Sequence, residues 1–184
     1  MLVLKTEAIG VDYVIDKMQK HLDKKLIDVF TNWNSYHRAY KNPKKIEGRE
    51  VIIPEVYTSS GEYFECFFDD SVAISSFFIV DDTRSFENGN SKFNFSIIFQ
   101  SKLNEVFPDI LHRADEETIT KITTAIKSSI YRQYLSDIKT GITEVYREFG
   151  RSQVTFDDMS YFHVCRFDFT NVLYNSSDVC CNDC

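Results

Sequence analysis

A chain of 184 residues with 43% apolar composition, 16 Phe and 10 Tyr has enough apolar material for one folded domain with a substantial core. A net charge of −7 leaves no global positive field for phosphate backbones, which disfavours specific nucleic-acid binding as the main role. With six glycines in all there is no glycine-rich phosphate loop, and neither the Walker nor the dinucleotide pattern occurs.

From Ile9, the segment IGVDYVIDKMQKHLDKKLIDVF sets Val11, Val14, Ile15, Met18, Leu22, Leu26, Val29 and Phe30 mostly three and four residues apart, which predicts an amphipathic helix. In TNWNSYHRAYKNPKK, Asn, Ser and Pro43 interrupt that period, so the helix is expected to end there. Trp33, Tyr36, His37, Arg38 and Tyr40 in that stretch mix aromatics with positive charge, as base-stacking surfaces do; the plainer reading is an aromatic helix end lying on a sheet, with solvated lysines. REVIIPEVY, EYFECFF and VAISSFFIV, separated by TSSG and DDS, read as antiparallel strands. Asn88, Gly89 and Asn90 signal a reversal, after which KFNFSIIFQSKL alternates Phe93, Phe95, Ile97 and Phe99 as the next strand. Asp115, Glu116 and Glu117 suit the first turn of a helix, whose Ile119, Ile122, Ile126, Ile130 and Leu135 recur on one face. ITEVYREFG predicts a shorter helix stopped by Gly150, and YFHVCRFDFTNVLY a closing strand.

That order, with strands before helices and no internal repeat, indicates an α+β fold. The expected architecture is a mostly antiparallel sheet with an N-terminal helix and two central or C-terminal helices packed over one face. Residues 1–175 are expected to form a single domain and residues 176–184 a cysteine-rich tail. No stretch approaches the ~20 apolar residues of a membrane span, and Met1 to Gly10 lacks the basic start and apolar middle of a signal peptide, so a soluble protein without membrane partners is expected.

The stretch FFDDSVAISSFFIVDD sets Asp69 and Asp70 before an apolar run and Asp81 and Asp82 after it. Four converging carboxylates would suit Mg²⁺ and a metal-dependent hydrolase or nuclease. An extended run from Ser71 to Val80 spans ~33 Å, which parts the pairs and makes them strand-ending turn residues with an acidic rim. In HRADEE, His112 lies close to Asp115, Glu116 and Glu117, where charge at a helix start is a plainer role than metal binding. His163 and Cys165 share a strand face, and Cys66 and Cys165 sit in aromatic runs that suit buried free thiols. Cys180, Cys181 and Cys184 would need a fourth ligand such as His163 to close a zinc site. No GxSxG or comparable nucleophile pattern occurs. The sequence thus assigns no catalytic, cofactor-binding or metal residue and implies no cofactor; a non-enzymatic role is expected, with a monomeric protein-binding module as a further alternative.

Several phrases together resemble the neck and tail proteins of tailed bacteriophages, in particular the small α+β tail-terminator or tail-completion type. They are IDKMQKHLDKKL, IPEVYTSSGEYFECFFDD with FFIVDD, IIFQSKLNEVFP followed by RADEETITKI, and VTFDDMSYFHVCRFDFTNVLY, and they span most of the chain. The chain looks most like versions from phages of gut and marine Bacteroidetes, the crAss-like group included. The resemblance implies a virion protein made in the bacterial cytoplasm, forming a closed ring of six or twelve copies between the head connector and the tail. Its partners would be further copies of itself and the connector and tail proteins, with DNA passing non-specifically through the channel. It carries over no catalytic residue, and the CCNDC ending departs from its pattern.

Overall fold

The computed structural model describes residues 2, 7–58, 61–87, 90–149 and 162–175. In chain order the elements are α1 (Val11–Leu26), β1 (Trp33–Ile46), β2 (Arg49–Tyr57), β3 (Tyr63–Glu65), β4 (Ile74–Glu87), β5 (Asn90–Ser101), α2 (Leu103–Val106), α3 (Asp115–Lys127), β6 (Leu135–Thr140), α4 (Ile142–Val145) and β7 (His163–Asn175). The strands form one seven-stranded sheet in the order β3-β2-β1-β4-β5-β7-β6. The fold is α+β, and the sheet is mostly antiparallel, as expected from the sequence, with one parallel pair between β1 and β4.

Topology explains that pair. β1, β2 and β3 form an antiparallel meander, so the side of β2 away from β1 is already taken when the chain leaves β3. The chain returns over the sheet through Cys66 to Ala73 and adds β4 to the open side of β1, running the same way. The remaining strands attach outward from β4 as antiparallel neighbours.

Side-chain alternation divides the core into two layers. One face carries Phe78, Val80, Phe93, Phe95, Ile97, Phe99, Phe167 and Phe169 against Val14, Ile15, Met18 and Leu22 of α1 and Ile122 and Ile126 of α3. The opposite face carries Phe77, Ile79, Ile98 and Val164 against Val145, Tyr146 and Phe149 and the aromatic crossover residues Phe67 and Phe68. The helices therefore lie on both faces rather than one, because β4, β5 and β7 are apolar on both sides over part of their length.

Two stretches expected to end helices lead into strands. Trp33–Ile46 is β1, whose Trp33 is buried against Phe99 (centroids 6.1 Å) and donates from Nε1 to Ser76 Oγ (3.1 Å). α3 stops at Lys127, since Ser128 Oγ donates back to the Ala125 carbonyl (2.7 Å) and Ser129 Oγ accepts from the Tyr131 N–H (3.2 Å). Ile130 is left exposed, and the chain passes through Arg132–Tyr134 into the edge strand β6.

Candidate functional site

The sheet forks. β1 and β4 pair in parallel from Trp33↔Ile74 to Ala39↔Ile79, and beyond that level both continue without pairing to each other. β1 stays with β2 up to Ile46↔Arg49, and β4 stays with β5 up to Glu87↔Asn90. Two hairpin arms thus diverge from a common stem. Among the described residues no strand fills the gap, and none pairs with residues 40–46 of β1 or 81–87 of β4 on the sides that face it. Pro43 fits this arrangement: β1 is a central strand by order, yet at Pro43 it has a neighbour on one side only among the described residues, the setting a strand proline requires.

Aligned bulges turn the β4–β5 arm away. The β4/β5 register shifts between Val80 and Arg84, and the β5/β7 register shifts between Phe93 and Phe95. Asn94 sits at both irregularities and ties them together. Its Nδ2 donates to Asp81 Oδ2 (2.9 Å), and its Oδ1 accepts from the Asn171 N–H (2.9 Å), where Asn171 has φ 59°. An asparagine tolerates that left-handed conformation better than most residues. At the crotch, Lys41 Nζ donates to Asp82 Oδ2 across the gap (2.6 Å). A cavity of about 490 Å³ there is lined by Tyr40, Lys41, Asn42, Ile52, Asp82 and Glu148.

Beside the crotch lies a charged floor. Arg166 of β7 is fully buried, and each of its three guanidinium nitrogens has a polar partner. Its Nε donates to Asp168 Oδ1 (2.6 Å), its Nη2 to Ser96 Oγ (2.8 Å) and Glu148 Oε1 (2.9 Å), and its Nη1 to the Val145 carbonyl (3.3 Å). Ser96 Oγ donates in turn to Asp168 Oδ1 (2.6 Å), and Arg147 approaches the other carboxylate oxygen (3.5 Å). Burial opposes ionisation of Asp168, but bonds from Ser96 and Arg166 outweigh it and hold the carboxyl below its ordinary range. For Arg166 burial acts against the charge as well, and the Asp168 and Glu148 carboxylates more than restore it. A second cavity of about 320 Å³ opens over this network, between Asp81, Asn94, Ser96, Asp137, Arg147 and Asp168.

A separate polar network fixes the crossover. Gln100, fully buried, accepts from the Phe68 N–H (2.8 Å) and Ser75 Oγ (3.0 Å) and donates to Tyr146 Oη (2.8 Å). Asp69 accepts from Tyr36 Oη (2.6 Å), Asn34 Nδ2 (2.7 Å) and the Ser71 N–H (3.0 Å). Burial would raise the Asp69 carboxyl, but a bond from the Ser71 hydroxyl, then those from Tyr36, Asn34 and the Ser71 N–H, bring it down to about 2. Burial, then the bond to Asp69, pushes the Tyr36 phenol well above its usual range.

The four aspartates of FFDDSVAISSFFIVDD therefore have four separate partner sets. Asp69 anchors the crossover, Asp70 lies near Lys102, Asp81 holds Asn94 and Asp82 bridges to Lys41. Asp81 and Asp82 do not end a strand as expected; β4 continues through them to Glu87, and they mark its bulge. Among the described residues no three His, Cys, Asp or Glu side chains gather to hold a metal ion. His112 Nε2 meets Glu117 Oε1 at 2.7 Å on the surface, and Asp115, Glu116 and Glu117 occupy the first turn of α3. Cys66 and Cys165 are buried free thiols, raised well above the usual range by burial. His163 is also buried; burial and then Arg113 keep its pKa low. The zinc reading of Cys180, Cys181 and Cys184 lies outside the described residues, as does the stop at Gly150. Trp33 and Tyr36 are core residues rather than a stacking surface. The sequence reading missed Arg166, Asn94, Glu148 and Gln100.

No helix among the described residues is long and apolar enough to cross a membrane. Comparison with protein-family models, with curated proteins and with solved structures found no match. Fold and site together define an α+β protein whose mixed sheet splits into two arms over a charged floor.

Proposed function

We propose that this chain is a structural protein of the neck or tail of a tailed bacteriophage, a protomer of a ring of six or twelve copies joining the head connector to the tail. One observation carries the reading beyond the sequence resemblance. The β2–β3 end of the sheet is open and aromatic, with Tyr57, Tyr63 and Phe64 exposed to 54%, 50% and 50%. Tyr63 packs edge-on to both Tyr57 (5.4 Å) and Tyr40 (6.0 Å), so the rings form a patch rather than scattered singles. A grouped apolar surface at a strand edge suits association with another protein chain. Its place at one end of the sheet, with edge strand β6 at the other, gives a protomer two unlike surfaces for head-to-tail closure. The excess of acidic residues favours a channel through which DNA slides, because a basic lining would hold the phosphates.

Native mass spectrometry and electron microscopy of the purified protein test this, alone and mixed with connector and tail proteins. Expected are a discrete ring and binding at one or both of its rims. A strict monomer that binds neither partner would overturn the reading.

A further inference from the structure

We infer that the solvent face of α1 and α3 is a docking surface for the phosphate backbone of duplex DNA, held without regard to base sequence. This goes beyond the ring reading and does not depend on it. Every exposed residue of α1 is a lysine: Lys17, Lys20, Lys24 and Lys25. On α3 the exposed residues are Lys121, Lys127, Thr120, Thr124 and Glu116. In a chain of net charge −7, the two helices thus gather lysine on one outer face, and the rest of the chain carries more than the whole excess of acid. A local field of this kind acts over about 10 Å at ordinary salt, so acid lying farther off does not cancel it.

Helix packing brings those lysines together. His21 Nε2 lies 3.0 Å from both the Ala125 carbonyl and Ser128 Oγ. Tyr13 stands close enough to Tyr131 that burial, and then this neighbour, push the Tyr131 phenol up to about 12. The two helices therefore run antiparallel, and Lys24 and Lys25, one turn past His21, fall level with Lys121, one turn before Ala125. Like charges then face each other across the seam, an arrangement that is unfavourable until an anion lies over it. Several other lysines are matched: Lys20 by Asp16, Lys41 by Asp82, Lys44 by Glu55 and Lys102 by Asp70. Lys24, Lys25, Lys121 and Lys127 have no ion pair among the described residues; half-buried Asp23 and exposed Asp28 are the acids nearest Lys24 and Lys25 in sequence.

A duplex backbone fits this face better than other anions do. None of the exposed residues of the two helices is an aromatic or aliphatic side chain of the kind that anchors a protein partner. Their apolar faces are buried in the core, so neither is left to enter a lipid surface. Tyr13 is half-buried, with Lys17 Nζ over its ring (4.5 Å), which leaves no open ring here for stacking the bases of a single strand. Lysine ammonium groups only donate, so they bind phosphate and do not accept from the 2′-hydroxyl that marks RNA.

Fluorescence anisotropy of the full chain with a labelled DNA duplex of about 24 base pairs tests this. Affinity should fall as salt rises from about 50 to about 200 mM, with a log–log slope of about −3 to −4 for four lysine–phosphate contacts. Lys24→Gln with Lys121→Gln should weaken binding by about tenfold or more and reduce the slope by about 2, whereas Lys24→Arg with Lys121→Arg should preserve both. Lys45→Gln with Arg49→Gln, at the tip of the β1–β2 arm, removes the same charge from another place and should leave affinity within about twofold. An equal loss in that control, or binding by the parent that does not respond to salt, overturns the proposal. So does tighter binding of duplex RNA, single-stranded DNA or anionic vesicles than of duplex DNA. A parent that forms rings and ignores DNA sinks this face and leaves the ring reading standing. A strict monomer that binds DNA through these lysines, but neither connector nor tail protein, does the reverse.

Discussion

Arg166 is the residue at which charge and packing meet. A guanidinium without solvent is tolerated here because Asp168, Ser96, Glu148 and the Val145 carbonyl surround it with acceptors. Breaking one half of such a pair costs more than the pair contributes, since a buried carboxylate is left without its counter-charge. Arg166→Met is therefore expected to destabilise the fold by about 3–5 kcal/mol. Arg166→Met combined with Asp168→Leu should cost less than the single change, because the stranded charge goes with it. Urea unfolding of both variants checks the order. A single variant within about 1 kcal/mol of the parent would mean that the network is screened by water rather than buried.

At the scale of elements, the β1–β2 arm depends on its two-residue turn. Ile46 pairs with Arg49, and the turn between them holds Glu47 at φ 49° and Gly48 at φ 81°. Two successive positive φ values match the twist of a hairpin, and a β-branched residue resists them. Nothing within 4 Å would meet an added Cβ at Gly48, so backbone strain alone decides the outcome. Gly48→Val should cost about 1–2 kcal/mol and Gly48→Asn much less, read from urea midpoints. This arm is also where sequence reading failed. β4 was legible as a run rich in Val, Ile and Phe, and β5 and β7 because such residues recur mostly every second position; β1 was not, because Asn, Lys and Pro43 dominate its half beyond the stem, where one described neighbour strand and solvent select the residues. Leu135, which opens the short, polar edge strand β6, continued the helical period of α3 without contradiction. The charged floor left a trace that alternation could have exposed. Arg166 and Asp168 stand on the strand face opposite Cys165, Phe167 and Phe169, and Asn94 and Ser96 opposite Phe93, Phe95 and Ile97. What no alternation shows is that the polar positions of different strands fall at one level, because the bulges that align them are set by tertiary pairing.

Among the described residues four carboxylates share one direction of shift, the surface Glu117 beside His112 and three that are at least partly buried. Asp69 is held at about 2, and Glu55 and Asp168 are also held below their ordinary ranges. For Glu55 burial opposes the shift, and Lys44 and then Asn42 overcome it. When a folded carboxyl has the lower pKa, the unfolded chain binds more protons below about pH 4, so acid favours unfolding. The stability these groups contribute is complete above their unfolded values, near 4, and is lost as pH falls through the folded ones toward 2. The urea midpoint is expected to be level from pH 7 to 5 and to drop steadily from pH 4 downward. General charge repulsion in acid gives a similar slope, so Asp69→Asn separates the causes. It should lower the midpoint at pH 6, while the gap to the parent narrows toward pH 2.5 as the parent's own Asp69 takes up its proton. A gap unchanged between pH 6 and 2.5 would remove Asp69 from the acid response and leave its bonds to Tyr36, Asn34 and Ser71 independent of its charge.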